Sequence, residues 1–529
     1  MRILIALVTA VTAAGCYQPS VSDCQYTCLA SDSCPSGFEC RAGMCRAPGA
    51  GGTCEGVDAN GPDAVDVDGA SPDAAPDAAP DAAPDAAPDA APPPPVWSRR
   101  SAGDSHEFAR GHSVRRASDG DLVMVGRTVS TTLSFPGAPV MATLGSYDAF
   151  VVKMSPAGVH RWSRRLGGSG LDLAYAVAVD AGDNVIVVGS YSGAVNLGGV
   201  ALPTAVDGDL EVFVLKLSPQ GDHVWSTGIA TSGRNEAFDV AVDPSGDVFV
   251  TGSIGWNLFL HDAGDTTLHK LSGANGAVLW SKPFATSNGD AGLGVATDAS
   301  GDVYLVGAFA NGNGGMIDLG GTVLTSVAVG AGFVAKLDGG TGAHIWSRMV
   351  QNSNQSQLQG VVVGGTAVYV CGNSRGFATI GGGPAVAVNG EYDFFVARLA
   401  TSDGSHVWSH SHGGAPSDYC EDIGLDGSGG VVATGSLGAS STFGGAVLPF
   451  NGAGDVVVAR YATSNGAHLG SRSFGGSGDE SGLGVSADPV TGNVHLVGHS
   501  SGAIDFGDGL AADPLGGFGF FVANIGALP

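Results

Sequence analysis

Basic side chains are scarce in this chain: 23 Lys and Arg stand against 50 Asp and Glu, a formal net charge of −27. Phosphate binding needs clustered Lys and Arg, so this balance excludes nucleic acid as a general partner. Aromatic residues (7%) and charged residues of both signs (14%) are sparse as well. Apart from one short run at the start, no stretch approaches the roughly 20 apolar residues of a membrane-spanning helix. There is no His-Glu-x-x-His, no Cys-x2-Cys and no adjacent pair of cysteines. Gly-x-Ser-x-Gly occurs only as often as chance allows with 87 glycines, so no nucleophile elbow is assigned.

What is abundant is glycine, and it is distributed periodically. A phrase of the form Phe333–Leu337, then Gly342-Ala-His-Ile-Trp346-Ser347, returns about every 60 residues. Its Trp falls at Trp97, Trp162, Trp225, Trp280, Trp346 and Trp408, and decays at Leu469-Gly470-Ser471. Each unit predicts four short strands, as in Ala174–Asp180, Val185–Ser190, Val212–Leu217 and His223–Ser226, bounded by Gly, Pro, Asp or Ser. The ends are split: Val96–Arg99 supplies a Trp strand before any complete unit, and the last unit stops after Phe520–Ile525 without one. Such sharing closes a ring of sheets, so the fold class expected over 96–529 is an all-β, seven-bladed β-propeller closed by an N-terminal strand.

Three segments precede it. Residues 1–15 carry Arg2, the apolar run Ile3–Val11 and Ala13-Ala14-Gly15 before Cys16, an export signal. Small residues before a cysteine resemble the bacterial lipobox, which implies a diacylglycerol anchor on Cys16. Tyr17 after it implies, by the Gram-negative sorting rule, the outer membrane. Residues 16–56 form a cysteine-rich module in which Cys24, Cys28, Cys34, Cys40, Cys45 and Cys54 predict disulfides in an oxidising compartment, their pairing left open. Zinc is the rival reading, but no His lies in the segment. Residues 57–95 repeat Pro-Asp-Ala-Ala and end in Pro92–Pro95, with no apolar face to bury. They predict an extended spacer, with residues 71–95 reaching roughly 75 Å in polyproline II.

The phrases Gly-Gly-x-x-x-Asp, Val-Asp-x-x-Gly-Asp-Val-Tyr-x-x-Gly and Phe-Val-x-Lys-Leu resemble the bacterial SBBP β-propeller repeat. The cysteine-rich front is similar to that of myxobacterial surface lipoproteins. The Gly-x-x-x-Trp ends resemble the tryptophan-docking motifs of quinoprotein propellers, without the convergent acid set of a quinoprotein site.

Internal repetition separates scaffold from site: what recurs in every blade is structural, and a unique ligand site breaks the symmetry. The Trp series, the basic series Lys153, Lys216, Lys270, Lys336, Arg398 and Arg460, and the acidic series Asp180, Asp243, Asp298, Asp426 and Asp488 are read as scaffold. The Asp-x-x-Gly-Asp stretches read as tight turns, since they lack EF-hand spacing, and whether one binds calcium stays open. Ser105-His106-Glu107 and His410-Ser411-His412 read as isolated loop histidines. Cys371 and Cys420, in adjacent blades, are a candidate disulfide. The second-to-third and fourth-to-first connections share one face and vary most, so a protein or glycan ligand is expected there. Asn352–Gln359 replaces the Gly-Gly loop with polar amides and departs furthest. An early arginine cluster (Arg99, Arg100, Arg110, Arg115, Arg116, Arg127, Arg161, Arg164, Arg165) is either a solvated edge or a contact for anionic lipid. The expectation is an outer-membrane lipoprotein, periplasmic or surface-exposed, presenting a non-catalytic propeller for binding or scaffolding, with no cofactor and no catalytic or metal residues assigned. A polysaccharide hydrolase or lyase, marked by two close carboxylates in a pocket of the long-loop face, is the first alternative, and an envelope-assembly partner the second.

Overall fold

The computed structural model describes residues 39–41, 44–46, 96–103, 110–143, 145–204, 209–231, 233–255, 264–284, 289–309, 315–509 and 518–528. The chain divides into two compact units, Met1–Asp89 and Ala90–Pro529. In the first, Glu39–Arg41 pairs antiparallel with Met44–Arg46, with Cys40 opposite Cys45. The expectations for the signal, for Cys16, Cys24, Cys28, Cys34 and Cys54, for the spacer and for His106 lie outside the described residues.

The second unit is a ring of seven four-stranded antiparallel sheets. Blade 1 runs Arg110–Arg116, Leu122–Thr128, Asp148–Met154 and His160–Leu166 from the axis outwards. The innermost strands of blades 2 to 7 are Asp172–Val179, Asn235–Val242, Ala291–Thr297, Gln355–Gly364, Tyr419–Leu425 and Glu480–Ala487. Blade 7 takes its outer strand from the start of the unit: Trp97–Arg100 pairs with Gly519–Ala527, Ser98 opposite Ala523. The split repeat is therefore the closure of the ring. Second and third strands are covered on both faces, so they read as continuous apolar runs; every residue of Val185–Tyr191 and Glu211–Leu217 is buried. Seven hydrophobic clusters form, each made of residues from two neighbouring blades.

The recurring Trp joins each blade to the next. Trp97, Trp162, Trp225, Trp346 and Trp408 donate Nε1–H to a carbonyl in the following blade's third-to-outer turn, at Pro156, Pro219, Gly273, Thr401 and Thr463. In blades 2, 3 and 5 the cation of the third strand reaches the same turn. Lys216 Nζ bonds Gly273 O at 2.8 Å, the carbonyl that also takes Trp225 at 3.1 Å. Arg398 Nη1 and Trp408 Nε1 likewise share Thr463 O, at 2.8 and 3.3 Å. Behind it, the cation meets the aspartate that closes its own blade's first turn: Lys216–Asp180 (2.8 Å), Lys270–Asp243 (3.2 Å), Lys336–Asp298 (3.0 Å), Arg460–Asp426 (2.6 Å). That carboxylate also caps its turn, Asp180 Oδ1 taking the N–H groups of Gly182 and Asn184. These oxygens are thus occupied by the chain's own donors.

The second-to-third excursions take a course that their sequence does not foretell. In blades 2, 4 and 6 the described parts do not stand up from the long-loop face but turn down the outer edge of their own blade. Gly198 and Gly199 lie on the ring of His223, Gly320 and Gly321 on His344, and Gly444 and Gly445 on His468, each histidine opening the outer strand. Each of these histidines bonds the Ser three residues on, as His223 Nε2 does Ser226 Oγ at 3.1 Å. The residue before each Gly-Gly is buried at the blade boundary, as Leu197, Leu319 and Phe443 are. These excursions clad the rim. Asn352–Gln359 also differs from a loop: Gln351–Asn352 pairs with Ala378–Thr379, and Gln355–Gly364 is the inner strand of blade 5. Cys371 and Cys420 face each other across the blade 5–blade 6 boundary, Cα atoms 5.8 Å apart, within the span of a disulfide.

Docking leaves no room above the indole. At Gly404 (φ +69°) an added Cβ would lie 2.7 Å from the Trp346 ring, whereas at Gly382 (φ +82°) it would meet nothing within 4 Å. Gly382→Ala is expected to cost only the left-handed backbone penalty, about 1–2 kcal/mol. Gly404→Ala adds the displacement of a packed indole and is expected to cost about 2–3 kcal/mol more. Urea unfolding of the two variants side by side measures the difference, and equal losses would refute the docking account.

Candidate functional site at the channel mouth

Each innermost strand carries a β-bulge at the same position, where its register with the second strand slips by one residue. A bulge re-aims the unpaired side chain. The seven bulged residues are His112, Tyr175, Phe238, Leu293, Gln359, Glu421 and Leu483, all partly exposed. Scaffold positions keep one residue type around the ring; this one changes from blade to blade. The bulged residues of blades 1 to 3 touch in series, His112 to Tyr175 at 5.3 Å between ring centroids and Tyr175 to Phe238 at 5.5 Å, both edge-on. Sequence periodicity hides this ring because a bulge falls out of the strand's alternation and its residues share no type.

Beyond the bulge, by one residue at Asp239 and Asp422 and by three at Arg115, three blades contribute to a charged tie across the channel. Arg115 Nη1 of blade 1 meets Asp422 Oδ2 of blade 6 at 3.2 Å. Asp422 also accepts the N–H groups of Ile423 (2.8 Å) and Val485 (3.0 Å), and Asp239 of blade 3 accepts that of Val295 (2.8 Å). Burial pushes the Asp239 carboxyl up to about 6, against the pull of Arg115. Burial lowers the Arg115 guanidinium, and Asp422 and Asp239 more than reverse it. On the far side the channel widens into a cavity of about 340 Å³ lined by small and aliphatic residues of the inner strands, such as Val179, Val240, Val362 and Ala487. The tie gives the mouth a floor.

A recess of about 280 Å³ opens beside the ring at blades 3 to 5, with Phe238, Leu293 and Phe309 apolar and Asp290, Gln355 and Gln357 polar. The amides of the predicted segment therefore do reach a cavity, from a strand. Tyr392 of the adjoining third strand's approach stacks on Tyr419 (5.9 Å) and donates to Gln355 Oε1 at 2.6 Å. A larger cavity, about 530 Å³, lies elsewhere, between His344–Met349 and the segments 322–325 and 379–382. It is walled by the repeated outer strand and rim, and so is read as scaffold.

Close carboxylates are present on the long-loop side, but not in a pocket. Where a third strand of one blade meets the first strand of the next, Asp148 pairs with Asp172, Asp393 with Asp418 and Asp455 with Glu480, each side chain 0–1% exposed. The Gly-Gly of the connecting loop seals them: a Cβ at Gly413 would lie 2.5 Å from Asp393 Oδ1 and 2.7 Å from Asp418 Oδ2. The loop's second N–H holds one member, Gly168 to Asp172, Gly414 to Asp418 and Gly476 to Glu480, at 2.7–2.9 Å. That is the physical content of Gly-Gly-x-x-x-Asp. Arg165 neutralises the first pair through Asp148 (2.7 Å), and between blades 2 and 3 an amide stands in, Asn235 donating to Glu211 at 2.8 Å. Burial raises Asp418 to about 6, with Asp393 adding to it; burial likewise raises Asp172 and Asp455 to about 6. Sealed and repeated, these acids are junctions rather than a general acid and base.

The remaining candidates are structural. His410 bonds Gly466 O at 2.7 Å, and His412 stacks on Tyr461. No group of three or more His, Cys, Asp or Glu able to hold a metal occurs among the described residues. Most of the early arginines are tied inside the propeller, Arg99 and Arg100 to carbonyls and Arg115, Arg116, Arg161, Arg164 and Arg165 to carboxylates.

No family model matches the chain. Over 150 residues it is 28% identical to an uncharacterized WD repeat-containing protein of Acanthamoeba polyphaga mimivirus, a stretch covering 26% of this chain and 11% of that protein. The chain thus spans a small part of the curated relative's length. Among solved structures it is similar to the Pan2 WD40 domain of Neurospora crassa (12% identity, 79% of this chain and 89% of that one, TM-score 0.40). It is also similar to polysaccharide lyase Uly1 (8%, 79% and 90%, 0.41) and to a quinohemoprotein alcohol dehydrogenase from Comamonas testosteroni (9%, 82% and 76%, 0.37). Likeness at this level lends none of their activities to this chain; the propeller stands on its own seven sheets.

The sealed acids make a signed prediction. An unfolded Asp titrates near 4 and folded Asp418 near 6, so the folded state holds the extra proton between them. Its contribution to stability is complete below about pH 4 and is lost as pH rises through 6. Both Asp418 oxygens accept backbone N–H groups, from Gly414 and Gly438, so the amide belongs on its partner. Asp393→Asn keeps the oxygen that takes Asn389 N–H and turns a donor toward Asp418, as Asn235 does toward Glu211. The substitution is expected to flatten the fall of stability between pH 4 and 7 and to stabilise the protein at pH 8 by about 1–2 kcal/mol. Urea unfolding across this pH range tests it; an unchanged slope would contradict it.

Proposed function

We propose that the chain is a lipid-anchored protein of the cell envelope whose propeller binds a polar ligand, without catalysis, at the channel mouth. The observation that carries this reading is the bulge ring: seven equivalent positions, re-aimed by the fold, hold six different residue types, unlike the recurring Trp, Asp and Lys or Arg of the scaffold. A floor below and a recess beside them give the concavity that recognition sites share. The lipobox-like start with Cys16, the cysteine-rich module and the spacer support the envelope address. The sealing of the carboxylate pairs weighs against the hydrolase or lyase alternative.

The test uses membranes from cells making the full chain, screened against glycans and envelope proteins after palmitate labelling. Cys16→Ser is expected to lose the label and membrane association. Phe238→Ala and Gln359→Ala are expected to keep both and bind the ligand at least about tenfold more weakly. Gln220→Ala, on a third-to-outer turn of the opposite face, is expected to bind normally. Loss of binding in Gln220→Ala but not in the ring variants would place the site elsewhere.

A further inference from the structure

Of the early arginines whose side chains are described, Arg127 differs from the rest: among the described residues it makes no hydrogen bond or ion pair. Its guanidinium instead rests over two aromatic faces, 5.8 Å from the centroid of Tyr147 and 5.9 Å from that of Tyr175. Tyr175 belongs to the bulge ring, so Arg127 stands at the mouth, where it is partly exposed. The acid that bonds Tyr175 is already ion-paired: Glu236 accepts Tyr175 Oη at 3.2 Å and Arg234 Nη2 at 3.0 Å. The repeat supplies a control. Arg127 follows the glycine of the second strand, and the equivalent residues in blades 2 to 7 are Ser190, Ser253, Ala308, Asn373, Ser436 and His499. Ser or Ala satisfies the scaffold there in four blades, so a guanidinium at this position is not a requirement of folding.

We propose that Arg127 is the anion-recognising group of the mouth and that the ligand is a carboxylate-bearing glycan, a uronate-containing polysaccharide; this rests on the mouth being the binding site. A guanidinium presents a planar fork of donors that matches a carboxylate, and stacking on Tyr147 and Tyr175 holds the fork in place before the ligand arrives. The surroundings favour a sugar over a polypeptide. Protein interfaces are anchored by Trp, Tyr and Arg side chains set in fully dry, closely packed pockets. Among the described residues the mouth's large side chains, Tyr175, Phe238, Leu293 and Leu483, stay partly exposed, and the most exposed large hydrophobics lie on outer strands, excursions and turns. What the mouth offers beside Arg127 is amides, phenols and one ring, Gln355, Gln357, Gln359, Tyr392, Tyr419 and Phe238, partners for hydroxyls and for the apolar face of a pyranose.

The full-length protein is titrated by calorimetry with oligomers of galacturonate, glucuronate, mannuronate and guluronate, each beside its methyl ester. Poly-glutamate and sulfated dextran are the competing anions. At least one uronate is expected to bind, its ester about 10- to 100-fold more weakly, the loss that follows removal of a charge-assisted pair. Arg127→Gln is expected to lose the same factor for the uronate and nothing for the ester, with a melting temperature within about 3 °C of the parent because no hydrogen bond is broken. Arg127→Lys is expected to recover part of the affinity. Binding of no uronate, binding only of poly-glutamate or of sulfated dextran, or equal affinity for acid and ester would each overturn the proposal. If Phe238→Ala weakens uronate binding while Arg127→Gln does not, the mouth stands and the role of Arg127 falls. If neither variant weakens it, the mouth itself is wrong.

Discussion

A turn carbonyl that takes the preceding blade's indole N–H, at five of the seven blade boundaries, organises this propeller. At Gly273 and at Thr463 it receives an indole N–H and a cationic side chain from the preceding blade, and the cation is backed by the aspartate of its own first turn. A blade presents two large apolar faces that only its neighbours can cover. The shared carbonyl fixes the angle at which they do so. Because the same contact recurs around the ring, the last blade must meet the first, and it does so by borrowing Trp97–Arg100. Trp97 then docks on the turn of blade 1 as the other tryptophans dock on theirs.

The variations in this pattern show where the fold has slack. Blade 6 has Gly470 in place of the indole, and Arg472 reaches the next blade instead, Nη1 to Ile525 O at 2.9 Å. Trp280 keeps its place beside Phe249 but its Nε1 finds no partner, while Lys270 bonds Gly339 O at 3.1 Å. Either arm of the contact can lapse without loss of the ring. The acid pairs near the other face vary in the same way, with Arg165, Asn235 or a proton relieving the like charges.

Blade number, ring closure and the role of the tryptophans were legible in the sequence because they depend on identical residues at a fixed period, and repetition is visible without coordinates. The strands around Val185–Tyr191 and Glu211–Leu217 stood within one residue of where pattern and turn chemistry put them. The excursions were not legible: Asn196-Leu197-Gly198-Gly199 looks like a free loop until His223 is seen beneath the glycines. The bulge ring was hidden for the opposite reason, since Tyr175, Phe238, Leu293 and Gln359 share a backbone irregularity and no chemistry. Gly-Gly-x-x-x-Asp was visible as a motif, but its purpose needed the acid of the preceding blade, Asp393 for Asp418, far away in the chain.

The repeat thus divides the labour of the chain. Residues that recur hold blades together, and the bulged inner position, which changes type from blade to blade, borders the channel. The most direct measurement is a saturation scan of the seven bulged positions and of the docking tryptophans in the full chain, reading ligand binding and melting temperature for each variant. The account predicts that substitutions at His112, Tyr175, Phe238, Leu293, Gln359, Glu421 and Leu483 change binding with little change in melting temperature, while those at Trp162, Trp225 and Trp346 lower the melting temperature first. Bulge variants that unfold the protein and leave ligand affinity untouched would contradict it.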